Sequence, residues 1–553
     1  MSDLPPALEV RDYSLRYRTE AGPFDALKSV TLAIPRGRTL GLVGESGSGK
    51  TSLAWAIMRY LPANAQELSG ELLLRGEALR AKTAGEMLAI RGARISMVFQ
   101  DPSTSLNPTM RLGDQLGEVL VRHRRMDRRA ALEEAGALLA RTGIRDPAAM
   151  LRRYPHQASG GEKQRVVIAT AIACNPDLII FDEPTTALDI VTARQILDLF
   201  TALREATGVA ALYISHDLGL VSRIAHEVAV IHRGEIVEQG ACAEVFRAPR
   251  RDYTRALLAA LPDPRHRLAT PAPDPEAAPL LSLARLNVRY GEQSALMRLL
   301  RPGQKVVRGA VDVAFDVRPG ELVGVVGESG SGKSTVAKVL AGLQDFSGSV
   351  AFAGTAHHRR RAFDRAYRRA VQIVFQHPDA SLNPRQRVAT ILSRPLKLYG
   401  TVPRGQIPAR IGELLARVHL PGYFAARYPH QLSGGEKQRV AIARAFAAEP
   451  RLVVCDEITS SLDVSVQASV AALLVALQRE TGTACVFITH DLNLVRQLAH
   501  RIAVMHHGAL VDLFDVADAD SPARHPYTRT LLDAVPTLAG LARAPGPAAS
   551  PAA

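Results

Sequence analysis

The stretch TLGLVGESGSGKTSLAWAI, Thr39 to Ile57, runs from apolar residues of β type through a glycine loop into helical text. It returns as ELVGVVGESGSGKSTVAKVL, Glu321 to Leu340, with GESGSGK repeated letter for letter at Gly44–Lys50 and Gly327–Lys333. A strand, a loop of this spacing and a helix make a phosphate cradle. The glycines let backbone N–H groups close around the anion, the helix N-terminus adds its dipole, the lysine reaches phosphate oxygens and the hydroxyl after it takes Mg2+. The first cradle is Gly44, Glu45, Ser46, Gly47, Ser48, Gly49, Lys50 and Thr51; the second is Gly327, Glu328, Ser329, Gly330, Ser331, Gly332, Lys333 and Ser334.

The repeat extends far beyond the loops. FQDPSTSLNP from Phe99 recurs as FQHPDASLNP from Phe375, YPHQASGGEKQR from Tyr154 as YPHQLSGGEKQR from Tyr428, and ISHDL from Ile214 as ITHDL from Ile488. DYTRALL from Asp252 is mirrored by PYTRTLL from Pro526. The repeating unit is a whole domain, so the chain is a duplication and not a solenoid. Between the copies, prolines at 264, 271, 273, 275 and 279 forbid helix and favour a stiff extended linker. The expected organisation is domain 1 over 1–262, a linker over 263–279, domain 2 over 280–540 and a disordered tail over 541–553.

Two further runs carry chemistry. DLIIFDE, Asp177 to Glu183, and RLVVCDE, Arg451 to Glu457, have the form of buried parallel strands that end in paired carboxylates. Asp182 and Asp456 stand where a carboxylate meets a nucleotide's magnesium, and Glu183 and Glu457 can take a proton from attacking water. His216 and His490 follow the apolar runs GVAALYIS and TACVFIT, where an imidazole can reach a γ-phosphate. The alternation of such strands with helical text gives an α/β fold with a mainly parallel core sheet in each copy.

Bulk properties agree. The 553 residues are 47% hydrophobic and 22% charged, ordinary usage for globular domains. The net charge is +14, and the clusters Arg122–Arg129 and His357–Arg369 suit either an anionic partner or a solvated basic face. Cysteines at 174, 242, 455 and 485 form no CxxC pair, which points to neither a disulfide framework nor a zinc site. The N-terminal MSDLPPALEV has no signal-like region and no run of 18 apolar residues occurs, so the chain is expected neither to span a membrane nor to be secreted. A transport role would then need separate membrane subunits.

Together these motifs resemble the ATP-binding cassette (ABC) ATPases, because SGGEKQR from Ser159 and from Ser433 is similar to the ABC signature that other phosphate-loop proteins lack. The resemblance covers nearly the whole chain. It implies two P-loop NTPase domains in tandem, each with a mainly parallel core sheet, an antiparallel β subdomain and a helical signature subdomain. ATP and Mg2+ are the implied cofactors. Gln100 and Gln376 match the Q-loop glutamine, which senses magnesium and faces a membrane subunit; Asp189 and Asp463 match the D-loop. Tyr17 and Tyr290 resemble the aromatic that stacks on adenine, with Phe24 competing with Tyr17. Family members pair their cassettes head to tail, which here would set Lys50 against Ser433, Gly434 and Gly435, and Lys333 against Ser159, Gly160 and Gly161. The departures, Ala158 where Leu432 stands and Ile458 where Pro184 stands, remove no reactive group, so both sites should hydrolyse ATP.

The SLNP, YPHQ and closing YTR segments resemble the peptide and nickel importer branch. That implies two permease subunits, a solute-binding protein, no direct nucleic-acid partner and a peripheral place on the cytoplasmic face of the bacterial inner membrane. Dipeptide, oligopeptide, glutathione, nickel and opine-like solutes all stay open. Neither copy carries the cysteine cluster of some relatives, so no iron–sulfur centre is expected. A tandem ABC protein of ribosome or DNA, or a sugar-importer ATPase, is the alternative; the first lacks its charged helical linker or zinc cysteines here, and the second commonly has one degraded site.

Overall fold

The computed structural model describes residues 4–20, 22–185, 188–269, 271, 273–291, 307–460 and 462–535. The expected tail over 541–553 lies outside them. The chain forms two compact units, one of residues 4–188 and 192–260, the other of 189–191 and 261–535.

Each unit is built on the apolar run that precedes its glycine loop. Thr39–Val43 and Leu322–Val326 are strands in which every residue is buried, as expected for a strand covered on both faces. In the first unit the six-stranded sheet has the order Glu235–Ala241, Glu227–His232, Thr39–Val43, Ala210–Ser215, Leu178–Asp182, Ile95–Val98. Every neighbouring pair is parallel except the Glu235–Ala241 edge. The second unit repeats this with Ala509–Asp515, Arg501–His506, Leu322–Val326, Ala484–Ile488, Leu452–Asp456 and Val371–Val374. The parallel strands point the same way. The glycine loop, the carboxylate pair and the histidine therefore leave the carboxyl ends of three neighbouring strands, where α/β sheets place their sites.

A second, antiparallel sheet covers each core. In the first unit it comprises Gly22–Ile34, Leu8–Thr19, Ala65–Leu74 and Glu77–Ala78. Its Leu8, Val10 and Leu27 pack in one cluster with Leu53 and Ile57 of the helix Lys50–Ile57 and with Leu42, Ile180 and Ile214 of the parallel strands. Helices Leu112–Arg124, Arg128–Arg141, Pro147–Arg152 and Gly160–Ile172 form the helical subdomain. The fold is α/β with all three expected parts in each half.

The segment expected as an extended spacer is fastened to the second unit. After a turn at Asp263–His266, the N–H of Leu268 donates to the carbonyl of Gln497 at 2.9 Å and the Arg267 guanidinium to the carbonyl of Ala499 at 2.7 Å. Arg267 and Leu268 lie before the proline-rich part, so their N–H and guanidinium groups are available to make such bonds.

Close packing of helix on strand depends on one missing side chain. A Cβ on Gly41 would lie 3.2 Å from the Cβ of Ala225 and would strike the Cγ1 of Val221 on the helix Leu218–Ile224. Gly324 meets Val495 and Ala499 in the same way. Overpacking of a filled core costs about 1–3 kcal/mol. Gly41→Ala is therefore expected to lower the unfolding free energy of the first unit by about 1–3 kcal/mol, read as a lower denaturant midpoint, and an unchanged midpoint would contradict this packing.

Candidate nucleotide site

The loop's shape follows from burying its lysine. Lys50 and Lys333 are only 5% and 4% exposed. The Lys50 ammonium donates to the carbonyls of Gly44 and Glu45 at 2.8 Å each, and Lys333 to those of Gly327 and Glu328 at 2.8 Å each. Burial lowers the pKa of Lys333 below its usual value. To curl its carbonyls round the cation the chain passes through left-handed conformations at Gly47 and Gly49, with φ of 75° and 107°. A Cβ on Gly49 would sit 2.6 Å from the carbonyl oxygen of Ala26. The helices Lys50–Ile57 and Lys333–Leu340 then start with no side chain capping them, so their first N–H groups suit a phosphate.

The hydroxyls after the lysines meet the strand-end aspartates. Thr51 Oγ1 donates to Asp182 Oδ1 at 3.2 Å, and Ser334 Oγ to Asp456 Oδ1 at 3.0 Å. Burial raises both carboxyls, Asp182 to about 6, against the opposing hydrogen bond from Thr51. Hydroxyl and carboxylate oxygens held this close are a hard donor set that fits Mg2+.

The next residue departs from the strand. Glu183 and Glu457 have φ of 49° and 50°, a left-handed conformation unusual outside glycine and asparagine, of the sort that clusters at functional sites. The N–H of Glu183 bonds the carbonyl of Ile214 at 3.0 Å, and that of Glu457 the carbonyl of Ile488 at 2.9 Å. The glutamate is thereby locked to the neighbouring strand, two residues before His216 or His490. Glu183 Oε2 accepts from Gln100 Nε2 at 3.1 Å and lies 3.2 Å from His216 Nδ1. Glu457 Oε2 accepts from Gln376 Nε2 at 2.9 Å, with His490 Nδ1 at 3.9 Å. Burial alone would lower the His216 pKa; the Glu183 carboxylate outweighs it and raises the imidazolium above its ordinary value.

Strand ends thus bring together the loops, aspartates, glutamates, Q-loop glutamines and histidines. The signature residues sit in the helical subdomain. Ser159 and Ser433 cap the helices Gly160–Ile172 and Gly434–Phe446, each accepting from the glutamate N–H three residues on at 3.3 Å. Glu162 and Glu436 return the bond to the serine N–H at 2.8 and 2.7 Å. The S-x-x-E spacing of both signatures is the sequence mark of this capping box. Tyr290 donates to or accepts from Thr335, one residue past Ser334, at 3.1 Å. Tyr17 faces Phe24 across the strand pair, and Phe24 is the exposed member. The left-handed glutamates had no signal in the sequence.

Asp182 gives a stability test. Its folded pKa lies above its unfolded one, so the native state holds the proton more tightly. Ionisation then destabilises the fold as pH rises from about 4 to about 6, and the cost is complete above that. Asp182→Asn is expected to raise the unfolding midpoint of the ligand-free protein at pH 7.5, with the gain shrinking as pH falls from about 6 to about 4 and gone below that. A lowered or unchanged midpoint at pH 7.5 would refute the burial argument.

Two family models match the chain: ABC transporter, over residues 27–186 and 310–460, and oligopeptide/dipeptide transporter, C-terminal region, over 237–285 and 518–552. A glutathione import ATP-binding protein, GsiA, of Pectobacterium atrosepticum is 39% identical over 564 residues, covering 96% of this chain and 89% of that protein. GsiA of Salmonella choleraesuis is 39% identical, covering 97% and 90%. With the signature, the two loops and the strand-end carboxylates all in place, the chain belongs to the ABC transporter family of ATP-binding proteins and is an ATPase with two cassettes in one polypeptide.

Proposed function

We propose that the chain hydrolyses ATP to drive import of peptides or a similar small solute, glutathione among them, through two separate membrane permeases served by a solute-binding protein. It attaches peripherally, at the cytoplasmic face of the bacterial inner membrane. The observation that carries this is the doubled strand-end cluster, complete in both halves and embedded in a chain whose relatives bear the name of glutathione import proteins. Among the described residues no helix is long and apolar enough to cross a membrane, which suits a subunit that relies on partners for the pathway. The matches to the oligopeptide/dipeptide C-terminal region favour this reading over a sugar-importer ATPase or a ribosomal or DNA-acting protein.

In this reading each cradle holds the phosphates with its loop and helix N–H groups and its lysine. Thr51, Asp182 and Gln100, and in the second half Ser334, Asp456 and Gln376, would hold Mg2+, which when bound offsets phosphate charge. Glu183 and Glu457 act as general bases. Their left-handed backbone and the glutamine amide keep Oε2 aimed, and the adjacent histidine can reach the γ-phosphate. Tyr17 or Phe24, and Tyr290, offer a face to adenine. The signature of one cassette, Ser433–Gly435 or Ser159–Gly161, supplies helix N-terminal N–H groups to the other cassette's γ-phosphate.

A general base contributes about 10²–10⁴-fold. Glu183→Gln with Glu457→Gln should therefore leave ATP binding intact while turnover falls by about 100-fold or more. The same double variant should fail to restore uptake of labelled dipeptide or glutathione in cells lacking the gene, where the unaltered chain restores it. Full turnover in the variant sinks the base assignment, and uptake unaffected by loss of the gene sinks the import role.

Head-to-tail pairing has its own test. Lys50→Ala and Ser433→Arg should damage one site, so together they should reduce turnover by less than the product of the single effects. Lys50→Ala with Ser159→Arg should damage both sites, with nucleotide trapping counted per chain. Non-additivity of Lys50 with Ser159 and independence from Ser433 would reverse the assignment.

A further inference from the structure

The closing YTR repeat, at Tyr253 and Tyr527, has no part in the chemistry above, yet both tyrosines touch the phosphate loops. The N–H of Glu45, second residue of the first loop, donates to the Tyr253 hydroxyl at 3.2 Å; the N–H of Glu328 donates to the Tyr527 hydroxyl at 3.1 Å. These are separate sequences about 270 residues apart that make one contact twice.

The tyrosines are held in place by the sheet and by their own helices. Each ring packs on the last residue of the strand beside the loop's own strand: Tyr253 on His232 and Tyr527 on His506, with ring centroids 3.9 Å apart in both cases. The helices Asp252–Ala259 and Pro526–Ala534 are pinned by a carboxylate from the sheet edge. Glu238 accepts the N–H groups of Arg250 and Arg251 at 2.8 and 3.2 Å, while Asp512 accepts the His525 N–H and the Thr528 hydroxyl at 3.0 Å each. Thr528 and Leu531 are buried, as are Thr254 and Leu257. A rigid helix thus delivers one hydroxyl to one loop N–H, on the residue whose carbonyl also binds the lysine ammonium.

We propose that Tyr253 and Tyr527 are positioning residues for the phosphate loops, through which the C-terminal segment of each cassette sets its affinity for the phosphates of ATP. The hydroxyl fixes the peptide plane before Glu45 or Glu328. That holds the loop's entry in the shape that turns later N–H groups toward the anion. Without the hydroxyl, the loop must spend binding free energy on ordering itself. The effect falls on binding and leaves the reacting atoms alone. This deepens the reading of the two loops as nucleotide cradles and rests on it.

Tyr253→Phe and Tyr527→Phe, singly and together, keep the ring on its histidine and remove only the oxygen. In the purified full chain, the double variant is expected to bind ATP about 2- to 10-fold more weakly, the size of one neutral hydrogen bond per site, with kcat at saturating ATP within about 2-fold of the parent. Amide hydrogen exchange of loop peptides containing Glu45 and Glu328 should quicken in the variants. Leu531→Ala, which loosens the helix and keeps the hydroxyl, reports on general destabilisation: its melting temperature should fall while that of Tyr527→Phe stays near the parent's. An unchanged ATP Kd with binding intact in the parent overturns the proposal, as does a fall in kcat with Kd unchanged. Failure of the parent itself to bind ATP would overturn the cradle reading on which it stands.

Discussion

A buried ammonium organises each half of this protein. An uncompensated charge cannot stay in an interior that excludes water, and Lys50 and Lys333 are almost wholly enclosed. Their compensation comes from carbonyls of the same loop, six and five residues upstream. To point those carbonyls inward the backbone must turn through conformations that side chains resist. That is why glycines stand at the turning points, and why the helix that follows begins without a capping side chain. A cation inside and bare N–H groups at the helix start are two consequences of one wrapping.

A second strained element stands opposite the loop. The strands Leu178–Asp182 and Leu452–Asp456 end in an aspartate that stays in register and a glutamate that turns left-handed. The strain is offset by the glutamate N–H bonding the next strand, which carries the histidine two residues later. One backbone hydrogen bond therefore brings carboxylate and imidazole to the same end of the sheet.

Because the chain repeats itself, shared features stand out from incidental ones. The lysine wrap, the hydroxyl–aspartate bond, the left-handed glutamate, the capped signature helix and the tyrosine on the loop occur in both halves. The grip on the glutamate differs. His216 approaches Glu183 to 3.2 Å, whereas His490 stays 3.9 Å from Glu457. Ile458 replaces Pro184 beside this point, and that removes a ring without touching a polar group.

The sequence by itself determined the features that depend on residue type at short spacing. Glycines, lysine and hydroxyl within eight residues require a cradle, apolar runs ending in Asp-Glu require buried strands with carboxylates at their tips, and letter-for-letter repetition requires two like domains. Tertiary structure alone decided which of these meet. Thr51, on the helix that follows Thr39–Val43, finds Asp182 across 131 residues although Ala210–Ser215 stands between Thr39–Val43 and Leu178–Asp182 in the sheet. Strand order is a property of how the whole sheet closes its core, and no local periodicity encodes it. The left-handed turn at Glu183 and the reach of Tyr253 to Glu45 were equally hidden, since each rests on a hydrogen bond between segments far apart in the chain and juxtaposed only by that sheet.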